Sequence, residues 1–396
     1  MNRGENADRF ILTRTPRIVF GPSSIDRLGA ITAGFGKRAL LVMSRSIVRI
    51  PGLSESIVSL LSKAGVTSET IESHGEPSPE VIDSTVNRFH PTGITAVISI
   101  GGGSTIDAGK AISAMLPLHK GVTDFLEEAG TQSHPGYKIP FIAVPTTAGT
   151  GSEASANAVV SRVGANGFKK SLRHENLVPD VALVDPGLAL SCPPEVTAAC
   201  GMDALTQLLE AYVSPKASPM IDALVESALP RVRDCLTAAV KNGAADAAAR
   251  SGMAYAALIS GIALANAGLG VVHGLASPIG GLFHIPHGVV CGTLLLPAIE
   301  ATISELRRTQ PGSAALEKYA HAGSLLSVGH ASNREQGIDA LRGAIDRFTN
   351  ELRIPWLSAY GITGSDVEVI IAGAGNKNNP ARLNCEQIAG IVLSRL

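Results

Sequence analysis

Apolar and polar positions follow two rhythms along this chain, and the change from one to the other divides it. In the first half, short unbroken apolar runs stand apart from segments with helical spacing. "RALLVMS" (38–44), "ITAVISIGGGS" (94–104), the start of "IPFIAVPTTAGTGSE" (139–153) and "VPDVALVDP" (178–186) each end in turn or glycine-rich sequence. Runs of this length without alternation predict parallel strands buried on both faces. Between the first two, "LSESIVSLLSKAGV" (53–66) spaces its apolar residues as a helix does and stops at Gly65, a residue suited to ending one. Strand, loop and helix in repetition predict an open parallel sheet that takes ligands at the carboxyl ends of its strands.

After Pro186 the texture changes. From "PPEVTAACGMDALTQLLEAYV" (193–213) onward the spacing is helical, strand-like runs nearly vanish, and Pro and Gly mark helix ends. The pattern predicts an α/β domain over residues 1–185 followed by an all-α domain over 186–396, with the site in the cleft between them. A chain of 396 residues is long enough for two such domains.

Composition narrows the function. The formal net charge is −1 with 17% charged residues, so there is no basic field for nucleic acid. The most apolar stretch, "YAALISGIALANAGLGVV" (255–272), is interrupted by Asn266 and glycines. That favours a buried core helix over a membrane span. Five cysteines, odd in number and without CxxC spacing, suit reduced thiols in the cytoplasm, and "MNRGENADRF" at the start lacks the apolar core of a secretory signal.

Three stretches carry candidate chemistry. "SIGGGSTIDAGK" (99–110) leads from a strand into a helix. Glycines there let the backbone approach a phosphate, and the free N–H groups at the helix start supply donors. An ordinary strand-to-helix turn reads the same way, the spacing is not GxGxxG, and Asp107 with Lys110 also suits a solvated pair. "PTTAGTGSEAS" (145–155) gathers hydroxyls for a ribose or phosphate, or caps a helix with Thr150 or Ser152. "VVHGLASPIGGLFHIPHG" (271–288) holds His273, His284 and His287. His273 and His287 with Asp203 of "GMDALTQ" suit a mixed nitrogen–oxygen site for a divalent metal, whereas His284 reads as structural.

These stretches resemble the iron-containing alcohol dehydrogenase family, in order and over nearly the full length: "TPRIVFG" (15–21), "GGGSTIDAGK", "PTTAGTGSE", "VPDVALVDP", "GMDAL", "VVHGLASPIGG" and "IPHG". The resemblance implies a dinucleotide-binding domain, a metal-holding helical domain, and reversible hydride transfer between a small alcohol or aldehyde and NAD(P). It assigns Gly101, Gly102, Gly103 and Ser104 to the pyrophosphate, with Asp107 beside them. Thr146, Thr147, Thr150, Asn157 and Lys169 match positions near the ribose and nicotinamide.

The family's metal ligands fall at Asp203, position 207, His273 and His287, and the metal implied is iron or zinc. Position 207 is Gln207 rather than histidine, and Ser277 stands where a further histidine is common. The substitution predicts weaker metal binding, with Gln207 or water completing the shell. Related maleylacetate reductases work without a metal, which leaves an oxo-acid reductase as a second reading; Lys170, Arg173 and His174 lie in the same region of sequence as Lys169, but the sequence does not direct them to a substrate carboxylate. At the end of the first strand run, Ser44 and Arg45 stand where NAD-specific dehydrogenases often place Asp. That leans toward NADP, unless Arg45 simply faces solvent. A homodimer or higher homo-oligomer is expected, with the open edge of the "TPRIVFG" strand a candidate for pairing between subunits.

Overall fold

The computed structural model describes residues 9–118, 120–164, 167–329 and 331–396, so most of the opening "MNRGENADRF" lies outside the described residues. Six parallel strands form one sheet: β1 (Arg17–Phe20), β2 (Arg38–Ser44), β3 (Thr67–Ser73), β4 (Ala96–Gly101), β5 (Phe141–Pro145) and β8 (Val181–Val184). Their order is β1-β8-β5-β4-β2-β3. Side chains alternate in direction along each strand, so each inner strand feeds two cores. Leu40 and Val42 of β2 pack with Phe141 and Ala143 of β5 under the helices Pro79–Phe89 and Gly103–Met115. Leu41 and Met43 pack with Ile98 and Ile100 of β4 against the helix Leu53–Lys63.

The chain moves outward from β2 to β3, then returns to place β4 on the other side of β2. That reversal opens a crevice at the carboxyl ends of β2 and β4, where doubly wound sheets bind ligands. Ser44 and Gly101 are the last residues of those two strands.

Two elements differ from the expectation. β3, "TSETIES", runs polar along the sheet edge with no fully buried residue, so it lacks the apolar signature of an inner strand. β6 (Asn157–Arg162) and β7 (Phe168–Arg173) form a separate antiparallel hairpin.

Beyond β8 the chain is helical. Long helices Pro194–Val213, Pro219–Asn242, Ala247–Ala267 and His287–Thr309 share one large core with the short helix Val271–Leu282. Ala182 and Val184 of β8 join that core, which fixes the sheet to the helices. Two of these helices, Ala247–Ala267 and His287–Thr309, are long and apolar enough to cross a membrane, but about two thirds or more of each apolar window is buried inside the protein. They read as core helices.

Candidate active site

The glycine loop and the threonine loop lie side by side at the sheet's carboxyl edge. Thr146 N–H donates to the Gly101 carbonyl at 3.0 Å, which ties the end of β5 to the end of β4. A Cβ at Gly103 would come within 2.5 Å of Thr150 Oγ1, so only glycine allows the two loops this approach. Gly151, at φ +61°, in turn rests on the Ala247–Ala267 helix, where a Cβ would meet Gly261 Cα at 2.4 Å. Thus the threonine loop is held between sheet and helices by missing side chains. Gly102, Gly103, Ser104, Thr146, Thr147 and Thr150 all face one large cleft of about 850 Å³. That lies toward the upper end of the usual 300–1,000 Å³ of a ligand pocket, room for a large ligand such as a dinucleotide.

Asp107 and Lys110 are not a solvated pair. Lys110 is fully buried, and its ammonium donates to the carbonyls of Ser152 at 2.8 Å, Ser155 at 2.9 Å and Asn157 at 2.8 Å. Three N–H bonds meet three carbonyls, so the charge is used where it sits. Asp107 accepts from Ser152 Oγ and from Val159 N–H, the latter at 3.1 Å. Together they anchor the helix after the glycine loop to the segment that lines the cleft. Burial pushes the Lys110 pKa down to about 8, against the pull of Asp107 and Glu153. Burial likewise raises Glu153, 3% exposed, to about 7.

At the other end of the crevice the Ser44 hydroxyl pairs with that of Ser46 at 2.9 Å, and it is Ser46 that lines the large cleft. Arg45 Nε stands 3.6 Å from Glu72 Oε1, with His74 Nε2 3.3 Å from the same oxygen. Arg45 is thus exposed to solvent, with the Glu72 carboxylate beside it.

A second cleft, of about 180 Å³, joins the first at Gly103, Ser104, Thr150 and His287. Asn157, Lys169, Gln207, His273 and Ser277 face it. Lys169 pairs with Glu76, a residue the sequence gave no reason to select, and Lys377 adds another cation to the lining. Burial raises the Glu76 carboxyl but Lys169 brings it below its usual value. Of the three groups named with the oxo-acid reading, Arg173 lines the second cleft while paired with Glu127, Lys170 pairs with Glu128, and His174 Nδ1 accepts from Asn176 N–H. The maleylacetate-type reading gains no support. His284, read as structural, lines the large cleft.

The structure brings Asp203, His273 and His287 together, each from a different helix. Asp203 is 1% exposed on the Pro194–Val213 helix, and its Oδ1 lies 3.3 Å from His273 Nε2 and 3.8 Å from His287 Nε2. Cys291, unselected in the sequence, joins them: the four donor atoms all lie within 4.8 Å of one another. Behind His273 stands Glu210, two turns beyond Asp203 on the same helix. Its Oε2 is 2.6 Å from His273 Nδ1, while Oε1 accepts from Val272 N–H at 2.7 Å. A carboxylate on Nδ1 fixes the tautomer that leaves Nε2 free to ligate. Gln207, one turn after Asp203, turns its amide away to donate to the Thr150 carbonyl at 3.2 Å, with Ser260 Oγ 3.2 Å from its oxygen.

Charge in this cluster is strongly redistributed. Burial works to raise the Asp203 pKa, yet His287 and His273 outweigh it and bring it to about 2. Burial dominates at His287 and lowers it to about 4. At His273 burial opposes the charge, but Cys291, Glu210 and Asp203 hold the imidazole well above its ordinary value. Such a set of a carboxylate, two imidazoles and a thiol, enclosed and mutually opposed, has the chemistry of a divalent-metal site.

Known proteins resemble this chain along nearly its whole length. Residues 15–186 match the family model "Iron-containing alcohol dehydrogenase", and residues 197–396 match "Fe-containing alcohol dehydrogenase family, C-terminal". The chain is 31% identical to the NAD-dependent methanol dehydrogenase of Bacillus methanolicus, over 96% of this chain and 98% of that one. It is 32% identical to the NADPH-dependent butanol dehydrogenase of Clostridium saccharobutylicum, over 97% and 96%. The solved structure of a 1,3-propanediol oxidoreductase superposes with a TM-score of 0.87 at 28% identity, covering 98% of this chain and 100% of that one.

Proposed function

This chain belongs to the iron-containing alcohol dehydrogenase family, and from that premise, which makes it an oxidoreductase acting on CH–OH groups, we propose a metal-dependent alcohol dehydrogenase or aldehyde reductase linked to NAD(P). The observation that carries the reading is the convergence of Asp203, His273 and His287 on the cleft that the glycine loop also enters. Asp203, His273 and His287 would hold one divalent cation, iron or zinc, with Gln207 or water the remaining donor expected from the sequence. When bound, the cation supplies Lewis acidity toward the substrate oxygen, and the nicotinamide supplies or accepts hydride.

The chain's own residues do the positioning. The Gly101–Ser104 turn and the N-terminus of the Gly103–Met115 helix bind the pyrophosphate through backbone N–H groups. Thr146, Thr147, Thr150 and Asn157 carry the ribose and nicotinamide end toward the second cleft, where Lys169 stands paired with Glu76. Leu264 and Leu269 line that cleft beside His273 and exclude water from an aliphatic substrate. Ser277, in place of imidazole, leaves a hydroxyl rather than a titrating ring beside the substrate.

For the cofactor's second phosphate we lean to NADP, or use of both cofactors, because Arg45 follows β2 at the crevice. Glu72 opposes a 2′-phosphate there, so Arg45 must exchange one anion for another. We place the protein in the cytoplasm as a homodimer or higher oligomer. β1 is an edge strand with Ile18 and Phe20 exposed, and Phe10 and Ile11, ahead of it in the chain, are exposed as well.

The test is a panel of short alcohols and aldehydes assayed with NADH and NADPH before and after chelation. Loss of turnover on chelation and its return with zinc or iron(II) supports the reading. Full turnover in metal-free protein contradicts it.

A further inference from the structure

Sequence resemblance leaves the fourth metal position at residue 207 without its imidazole. The structure offers a different fourth donor on a different helix. Cys291 follows His287 by one helical turn on the His287–Thr309 helix, so both side chains project from the same face. Its Sγ is fully buried, 3.6 Å from His273 Nε2 and 3.6 Å from His287 Nε2. From the metal reading above, we infer that Cys291 is a ligand of the same cation, so that the centre is Asp203, His273, His287 and a Cys291 thiolate.

Three observations point this way. First, the spacing fits. Tetrahedral zinc with Zn–S about 2.3 Å and Zn–N or Zn–O about 2.0–2.1 Å places S and N roughly 3.6 Å apart and N and O roughly 3.3–3.4 Å apart. Both S···N separations here are 3.6 Å and the Asp203–His273 separation is 3.3 Å, with Asp203–His287 wider at 3.8 Å. Second, Sγ stands at equal distance, 3.6 Å, from both imidazole nitrogens, so a single cation seated among them meets all three donors at once. Third, the Gln207 amide is held between two other groups, its N–H₂ donating to the Thr150 carbonyl and its Oε1 3.2 Å from Ser260 Oγ.

Binding converts the Cys291 thiol to thiolate and releases its proton to solvent. A thiolate is a softer donor than imidazole or amide, so the site favours zinc or cobalt(II) over iron(II) more strongly than an all-nitrogen–oxygen set. The family label therefore does not predict the metal in this chain.

The test uses the full-length protein loaded with cobalt(II), its stoichiometry measured by elemental analysis, and ultraviolet absorption. The wild type should bind about one cobalt and show a thiolate-to-cobalt charge-transfer band in the near ultraviolet. Cys291→Ser should lose the band while still binding cobalt. Its zinc affinity should fall by more than the roughly 10–100-fold that losing an outer-shell partner costs. Cys200→Ser, at the neighbouring cleft, should keep the band.

If Cys291→Ser does not fold, X-ray absorption of the zinc-loaded wild type decides through a sulfur at about 2.3 Å. Cobalt bound without the band, a band that survives Cys291→Ser, or zinc without a sulfur neighbour overturns the inference and leaves the metal reading intact. A wild type that takes up no cobalt overturns both.

Discussion

Glu210→Gln isolates the carboxylate behind His273 and changes almost no volume. Glu210 accepts two hydrogen bonds, from His273 Nδ1 at 2.6 Å and Val272 N–H at 2.7 Å. Glutamine offers one carbonyl oxygen, so its N–H₂ must face one of those two donors. A charge-assisted bond contributes about 1.5–3 kcal/mol and a neutral one about 0.5–1.5 kcal/mol. The difference of about 1–1.5 kcal/mol in holding His273 corresponds to roughly 5–15-fold in metal affinity. The buried donor left facing N–H₂ costs a further 1–3 kcal/mol or so of folding stability. Competition with a chelating dye reads zinc affinity, and urea unfolding of metal-free protein reads stability. Zinc affinity within about twofold of wild type, with the variant folded, would refute the role given to Glu210.

Three further outcomes follow from the same geometry. Glu153, raised to about 7 by burial, binds more protons folded than unfolded. Its contribution is thus fully present below about pH 4.5 and lost as pH rises through about 7, of order 3 kcal/mol. Glu153→Gln should match the wild type in thermal midpoint near pH 5 and exceed it at pH 8; a difference that shrinks with rising pH contradicts this. Lys110→Met leaves three buried carbonyls and Asp107 without their cation. It should cost about 3–5 kcal/mol in urea unfolding, and a loss under about 1 kcal/mol would show the network to be dispensable. Arg45→Ala should raise KM for NADPH about tenfold or more while leaving KM for NADH nearly unchanged; equal effects on both cofactors would remove Arg45 from phosphate recognition.

The sheet's interior was legible because inner parallel strands must be apolar on both faces. β2, β4, β5 and β8 announce themselves as unbroken runs. β3 did not, since an edge strand meets solvent and "TSETIES" carries one strongly apolar residue. Asp203, His273 and His287 could be selected by residue type, but their convergence from three helices is a tertiary fact that spacing does not encode. Glu210 was hidden for the same reason, lying two turns beyond Asp203 on the same helix, where sequence does not show that it backs His273. Cys291 did leave a signal. His287 and Cys291 are four residues apart, the spacing of a helical ligand pair, and a search confined to paired cysteines passes over it. Lys110 shows the reverse case: a lysine one turn from an aspartate looks like surface, and only the fold reveals three carbonyls waiting for it.

The most direct measurement is elemental mass spectrometry of protein purified without chelator or metal-binding tag, with aldehyde reduction assayed on the same sample. About one divalent metal per chain, with turnover that falls in proportion as the metal is removed, is the expected result. Metal-free protein that reduces aldehydes at the full rate would contradict it, and would recast Asp203, His273 and His287 as polar contacts to the substrate.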